Sequence, residues 1–462
     1  MANRSSFGGV VLDVDPYQIE PESEPLREVE ARPSLRLLVM GDFSGQATGK
    51  LVRIDRDNFE TVLAGFAPQV ELALGSVQGG DAVLTFKSLE DFEPDSLYQR
   101  SELFAPLRDG SGWQLYSEAE EGDSAAPLKP TAEQIERLTA PGGLLDAIVE
   151  QSSPQSTTPA PKRVDEFQSM VERIVAPYSQ PAESAESRRA STERVQRLCL
   201  LMAHILHEEQ FQALEAAWRG LDLMVRVLET DELVELSILD CSKEKLYAQL
   251  TSATGNRPGR WDLLIGNFGF DRSIVADVEL LERISLLAKD LGAPFLAECL
   301  PSQQDDSKAE AAWQVLRKAP AAAYIGLALP RFLLRVPYGK DSAPVEAFAF
   351  EEMPGAPVHT DYLWGNPAFA CAMALGELFE RQGSLMRLPS NLRLCAVPLH
   401  IFRSEGETCT RPCTEVLLTE SDCATLLKSG VLPLAAVKSD DEIVFPRMQS
   451  IANPPAALAF SL

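Results

Sequence analysis

A chain of 462 residues with a net charge of −26 is a poor partner for phosphate backbones and anionic membrane surfaces. Its 45% hydrophobic and 24% charged residues describe a globular protein with room for roughly two to four domains. The longest apolar run, "LCLLMAHIL" (198–206), is far too short to cross a bilayer, and the opening "MANRSSFGGVVLDVDPYQ" has no apolar signal-peptide core, so a cytoplasmic protein without membrane insertion is expected.

Three regions follow along the chain: 1–110, 111–190 and 191–462. In the first, "LRLLVMGD" and "AVLTFKSL" read as strands. "RDNFETVLAGF" reads as a helix with Phe59, Val62, Leu63 and Phe66 on one face, capped by Asp55 or Asp57. The second region is rich in Ser, Pro, Ala, Glu and Gln and reads as linker, because it buries too little apolar surface to offset the entropy of ordering. Two short amphipathic pieces interrupt it, "GLLDAIVEQ" (143–151) and "VDEFQSMVERIV" (164–175).

The third region opens with a helix near 191–206. A second amphipathic run carries Phe211, Leu214, Trp218, Leu221 and Val225. "LVELSILDCS", "WDLLIGNFGF", "APFLAECL" and "AAYIGLAL" read as buried strands. "VADVELLERISLLAKDLG" and "PAFACAMALGELFERQG" read as helices, each closed by a glycine. Alternating strands and helices predict an α/β fold with a mainly parallel sheet.

Motifs for chemistry are scarce. "GDFSGQATGK" (41–50) begins like a phosphate-binding loop, but Gly45 precedes Gly49 by one residue too few and Leu51 stands where a Ser or Thr should reach the magnesium ion. A strand ending in a tight turn is expected instead. "HILHEE" (204–209) matches no zinc-protease spacing, and His359 and His400 have no G-x-S-x-G serine elbow nearby. Cys409 and Cys413 have no second cysteine pair or suitably spaced histidine. The paired acids Glu351-Glu352 and Asp440-Asp441 read as solvated loop charges. No catalytic residue, metal site or cofactor is therefore expected. The stretch "LPRFLLRVPYG" (329–339) offers Arg331, Phe332, Arg335 and Tyr338, and "YLWGNPAFA" (362–370) adds Tyr362 and Trp364. This arginine and aromatic enrichment suits either a large permanent interface or an irregular loop packed on its own domain.

Residues 33–108 resemble the small subunit of the type VI secretion contractile sheath (TssB, or VipA) through "LLVMGDFSG", "VRIDRDNFETVLAGFAPQVEL", "LTFKSLEDFEPDSL" and "LFAPLRD". Residues from about 143 to 455 resemble the large subunit (TssC, or VipB). The stretches are "GLLDAIVEQ", "ILHEEQFQALEAAWRGLDLMV", "DVELLERIS", "APFLAECLPS", "YIGLALPRFLLRVPYG", "YLWGNPAFA", "PLHIF", "PCTEVLLTESDCATLLKSGVLPL" and "QSIANPP". The chain thus looks like a fusion: a small-subunit-like domain (1–110), a linker with short helices (111–190) and a large-subunit-like domain (191–462).

The resemblance implies mechanical work without catalysis. Its implied partners are other sheath subunits or further copies of the chain, the inner tube protein, the baseplate and a AAA+ unfoldase of the ClpV type. The family's unfoldase-docking helix maps onto Leu144, Leu145, Ile148 and Val149; the bland alternative is a helix docked permanently on this chain. Two departures stand out: the large-subunit likeness stops near "QSIANPP", short of a segment that contributes to strand exchange, and linker-like sequence follows "LFAPLRD" where the small subunit has a long helix. Two functional readings follow, a structural sheath subunit and a non-polymerising accessory protein that caps, docks or regulates a standard sheath.

Overall fold

The computed structural model describes residues 34–73, 81–109, 185–230, 233–255, 261–301, 307–355, 357–404, 406–437 and 439–461. The first region supplies β1 (Leu35–Gly41), β2 (Leu51–Ile54), α1 (Phe59–Phe66), β3 (Gln69–Ala73), β4 (Asp81–Thr85), α2 (Pro94–Arg100) and α3 (Ala105–Asp109). After residue 184 come α4 (Ala185–Leu206), α5 (Glu209–Val227), β5 (Val234–Asp240), α6 (Leu246–Thr254), β6 (Leu263–Phe270), α7 (Val275–Leu291), β7 (Phe295–Cys299), α8 (Ser307–Lys318) and β8 (Ile325–Leu329). The chain continues through β9 (Phe332–Leu333), β10 (Trp364–Gly365), α9 (Pro367–Gln382), β11 (Ser390–Leu394), β12 (His400–Ser404), β13 (Glu407–Arg411), α10 (Glu420–Ser429), β14 (Val431–Pro433), β15 (Ala435–Ala436) and β16 (Ile443–Arg447).

A seven-stranded sheet in the order β14-β8-β7-β6-β1-β5-β2 organises these elements. Every neighbouring pair is parallel except β2, which runs antiparallel along β5. The α/β class and the mainly parallel sheet are thus as the alternation of elements predicted. The place of β1 in this sheet is set by long-range pairing. The strand runs between β5 and β6, with Leu35 opposite Val234 and Gly41 opposite Asp240 on one side, and Leu37 opposite Leu263 on the other. The first region therefore shares a sheet with the third.

The apolar run "LRLLVMG" reads as nearly continuous because both faces of β1 are covered. Leu35, Leu37 and Val39 join α1, α4, α5 and α9 in the larger core. Leu38 and Met40 face the other way and pack with α6, α7 and α8. Smaller sheets, β11-β16-β15 and the two-stranded antiparallel pairs β3-β4, β9-β10 and β12-β13, surround this frame.

Helix ends follow local chemistry. The glycines expected to close the two long helices do so in the left-handed region, Gly292 at φ 72° after α7 and Gly383 at φ 69° after α9. At the start of α1 the expectation is corrected: Asn58 is the N-cap residue. Asp55 instead holds the preceding turn, its carboxylate accepting the amides of Asp57 and Asn58 at 3.1 and 2.9 Å. Helix α5 crosses α9 at Gly220, where an added Cβ would sit 3.0 Å from the Phe369 ring.

Candidate functional site

The joint between the first and third regions carries the densest chemistry. At its centre Asp240 ends β5 with no solvent exposure. The glycine-rich turn after β1 closes around its carboxylate. Oδ1 accepts the Phe43 and Ser44 amides at 2.8 and 3.2 Å, and Oδ2 accepts the Ser44 hydroxyl at 2.7 Å and the Thr48 amide and hydroxyl at 2.7 and 2.6 Å. A turn that began like an anion cradle is an anion cradle, occupied by a carboxylate of its own chain. Lys50 turns away from it, donating to the Gly65 carbonyl at 3.2 Å and lying 4.6 Å over the Phe66 ring. Gly45 is required here: its φ is +77°, and a Cβ would fall 2.2 Å from the Gln69 carbonyl. Burial, then the neighbouring Asp240, pushes the Asp42 carboxyl up, against the amides of Ala47 and Gly45 that it accepts. At the opposite end of β1, Arg36 grips Asp262 through two 2.9 Å contacts from its guanidinium and a third from its amide.

Helix α5 fastens the joint with aromatic side chains. Trp218 is fully buried and donates its indole N–H to the Phe43 carbonyl at 2.9 Å. Phe43, Phe59 and Phe66 meet its ring edge-on at 5.7, 5.9 and 5.9 Å. Two turns earlier, Phe211 packs edge-on against the stacked pair Phe86 and Phe92. Such contacts add to area burial by roughly 0.5–1.5 kcal/mol a pair.

Beside these aromatic residues, α5 also holds an ionic network through Glu215 and Arg219. Arg335, with 9% of its side chain exposed, lies between the fully buried carboxylates of Glu215 and Glu352 at 2.8 Å each. Arg219 bonds Glu215 at 2.7 Å and the Tyr338 hydroxyl at 3.0 Å. Glu352 also accepts the Tyr338 amide at 2.7 Å, and His207 lies 3.5 Å away. Burial alone would raise the Glu352 carboxyl; the Arg335 charge and the hydrogen bonds outweigh it and hold the group at about 2. Burial pushes the Tyr338 phenol up to about 12. The expectation of solvated charges at Glu351-Glu352 thus fails for Glu352, because an arginine distant in sequence reaches it inside the fold; Glu351 is exposed.

The other candidates gather nearby. Arg331 forms a fork with Glu415 at 3.0 and 2.7 Å, and its side chain is 39% exposed. Glu415 also accepts from His359 at 2.8 Å. Phe332 is fully buried. Tyr362 bonds His400 at 2.8 Å, and Arg411 lies 5.3 and 5.6 Å from the Tyr362 and Trp364 rings. Leu144, Leu145, Ile148 and Val149 lie outside the described residues. Sequence reasoning missed Asp240 and Glu215, each a lone acid locally, and read Glu352 of the Glu351-Glu352 pair as solvated; only a buried position beside partners marks the three. Among the described residues no group of three or more His, Cys, Asp or Glu is placed to hold a metal ion, and no helix is long and apolar enough to cross a membrane.

Fold and joint place the chain in the α/β class, with two regions that share one sheet and one core. The particular family follows from comparison with known proteins. Residues 192–259 and 255–452 match VipB, described as EvpB/VC_A0108, tail sheath N-terminal domain. Residues 21–108 match T6SS_VipA, described as type VI secretion system, VipA, VC_A0107 or Hcp2. The chain belongs to the type VI secretion tail sheath family. It is 32% identical over 293 residues to the type VI secretion system sheath protein TssC1 of Pseudomonas aeruginosa strain PAO1, a match covering 54% of this chain and 58% of that protein. The chain thus spans somewhat over half the length of that relative.

Two outcomes follow for the joint. Trp218→Ala removes the indole that Phe43, Phe59 and Phe66 enclose, and is expected to cost about 3–5 kcal/mol. Chemical denaturation checks this against Val83→Ala, whose side chain is 58% exposed; equal midpoint shifts would refute it. For Glu352 the folded value of about 2 lies below the ordinary 4.5. Its stabilisation is therefore full above the ordinary value and fades as pH falls toward the folded one. Glu352→Gln should lose about 3–5 kcal/mol at pH 7 and flatten the stability profile between those two values. A variant curve parallel to wild type through that window would count against the ion pair.

Proposed function

We propose that this chain is a structural subunit of a type VI contractile sheath in which the small- and large-subunit elements are one polypeptide, divided as 1–110, 111–190 and 191–462. One observation carries the reading: β1, from the segment matching VipA, is an interior strand between β5 and β6 of the segment matching VipB. Covalent connection fixes the ratio of the two halves at one to one and keeps each at high effective concentration for the other.

In this reading the protein works in the cytoplasm by assembly and not by catalysis. Copies of the chain, or standard sheath subunits, stack around an inner tube on a baseplate, and contraction of the array ejects the tube. Arg331, whose side chain is 39% exposed, meets a neighbouring subunit. Phe332, Arg335, Tyr338, Tyr362 and Trp364 hold the surface behind it. Electron microscopy of the purified protein at micromolar concentration is expected to show rings or tubes, alone or with tube protein added. Single particles under every condition would overturn the polymerising role.

The helix-like piece "GLLDAIVEQ" serves in the same reading as a docking peptide for a AAA+ unfoldase of the ClpV type, with Leu144, Leu145, Ile148 and Val149 as its apolar face. Capture of the chain by that unfoldase should drop at least severalfold in the Leu144→Ala/Leu145→Ala double variant. Equal capture of both proteins would remove the docking role.

A further inference from the structure

Between Arg335 and Glu352 the chain leaves the core and returns to almost the same point. Its base is locked. Arg335 donates to both Glu352 oxygens at 2.8 and 3.1 Å, and Tyr338 and Glu352 exchange contacts, the Tyr338 amide to the Glu352 carboxylate at 2.7 Å and the Glu352 amide to the Tyr338 carbonyl at 2.9 Å. Inside, Gly339 donates to the Ala343 carbonyl at 2.9 Å and the Ser342 hydroxyl to the Pro337 carbonyl at 2.6 Å. Residues 336–351 are thus a compact surface loop with its ends pinned together.

The tip of this loop holds two other parts of the chain. Asp95, in the first turn of α2, accepts the Glu346 amide at 3.1 Å and the Ala347 amide at 2.7 Å. Phe348 packs on Tyr98 of α2 at 5.2 Å. The Cys199 thiol of α4 lies 3.4 Å from the Ala349 carbonyl. Helices α2 and α3 form one unit, since Arg108 of α3 donates to the Tyr98 and Ser101 carbonyls. Helix α3 is the last described element before residue 110, and α4 is the first after residue 184. One loop therefore touches the chain on both sides of the 110–184 segment.

We propose that residues 336–351 act as a clasp with a fixed base and a releasable tip, holding α2 and the middle of α4 at a set separation. The base rests on charges enclosed in the core. The tip rests on a half-buried carboxylate, a thiol contact, tilted ring contacts of Phe348 with Tyr98 and Phe350, and the packing of Val345 and Phe348 on the edge of the core, with Glu346, Ala347 and Ala349 exposed. Local opening follows the weaker set, so the tip lifts while the base and the sheet stay closed. Both α2–α3 and the middle of α4 loosen together when it does. The clasp is a property of the single chain, independent of any assembly.

Hydrogen exchange on the full-length protein tests this. Removing the charged acceptor in Asp95→Ala should raise exchange about tenfold in three stretches at once: 343–350, 94–109 and the part of α4 around Cys199. Phe348→Ala should do the same through the ring contact. Exchange in β1 and β5 should stay at wild-type rates. Asp95→Asn, which keeps an acceptor oxygen, should fall between wild type and Asp95→Ala. A rise confined to 343–350, an equal rise in β1, or no rise at all would each overturn the clasp.

Discussion

A strand in the middle of a parallel sheet has two edges to satisfy, and its neighbours depend on it as much as it depends on them. Strand β1 occupies that position between β5 and β6. Without it both neighbours would keep a row of buried, unpaired backbone groups, a cost far larger than the loss of any one side-chain contact. The two regions of this chain are therefore not two finished domains pressed together. The sheet of the later region is complete only with a strand from the earlier one, and the rest of the architecture follows from this.

Helix α5 turns that shared sheet into a rigid unit. Its periodicity sends Phe211 and Trp218 into aromatic pockets built by the first region, while Glu215 and Arg219 reach the ionic network of the later loops. The two contacts differ in kind. The aromatic side is apolar burial, tolerant in direction and large in sum. The ionic side is directional, and its partners leave a buried charge behind if either is removed. Between them they fix the position of α5 relative to β1 and of the long loops relative to α5.

The same principle answers what the glycine-rich turn is for. Its successive amides and hydroxyls converge on a negative charge, as they do around a phosphate. Here the charge is Asp240, carried by the strand next to β1. The turn therefore reports that β1 and β5 are in register, and the site has no room for a ligand's anion. The cradle therefore serves the registration of two strands of its own sheet.

Sequence by itself determined the local elements. The strands of the later region, the face of α1, the glycine stops of α7 and α9 and the parallel α/β class were legible because period, capping and turn chemistry are short-range. Ordered motifs gave the family in the same way, as linear patterns. Tertiary structure alone decided that β1 lies between β5 and β6, that Asp240 fills the turn and that Glu352 is buried on Arg335. These are pairings across 197 residues for Phe43 with Asp240 and 17 for Arg335 with Glu352. An acid in a sequence looks the same whether water or an arginine will surround it. Only the closing of the sheet and the burial that follows decide between them.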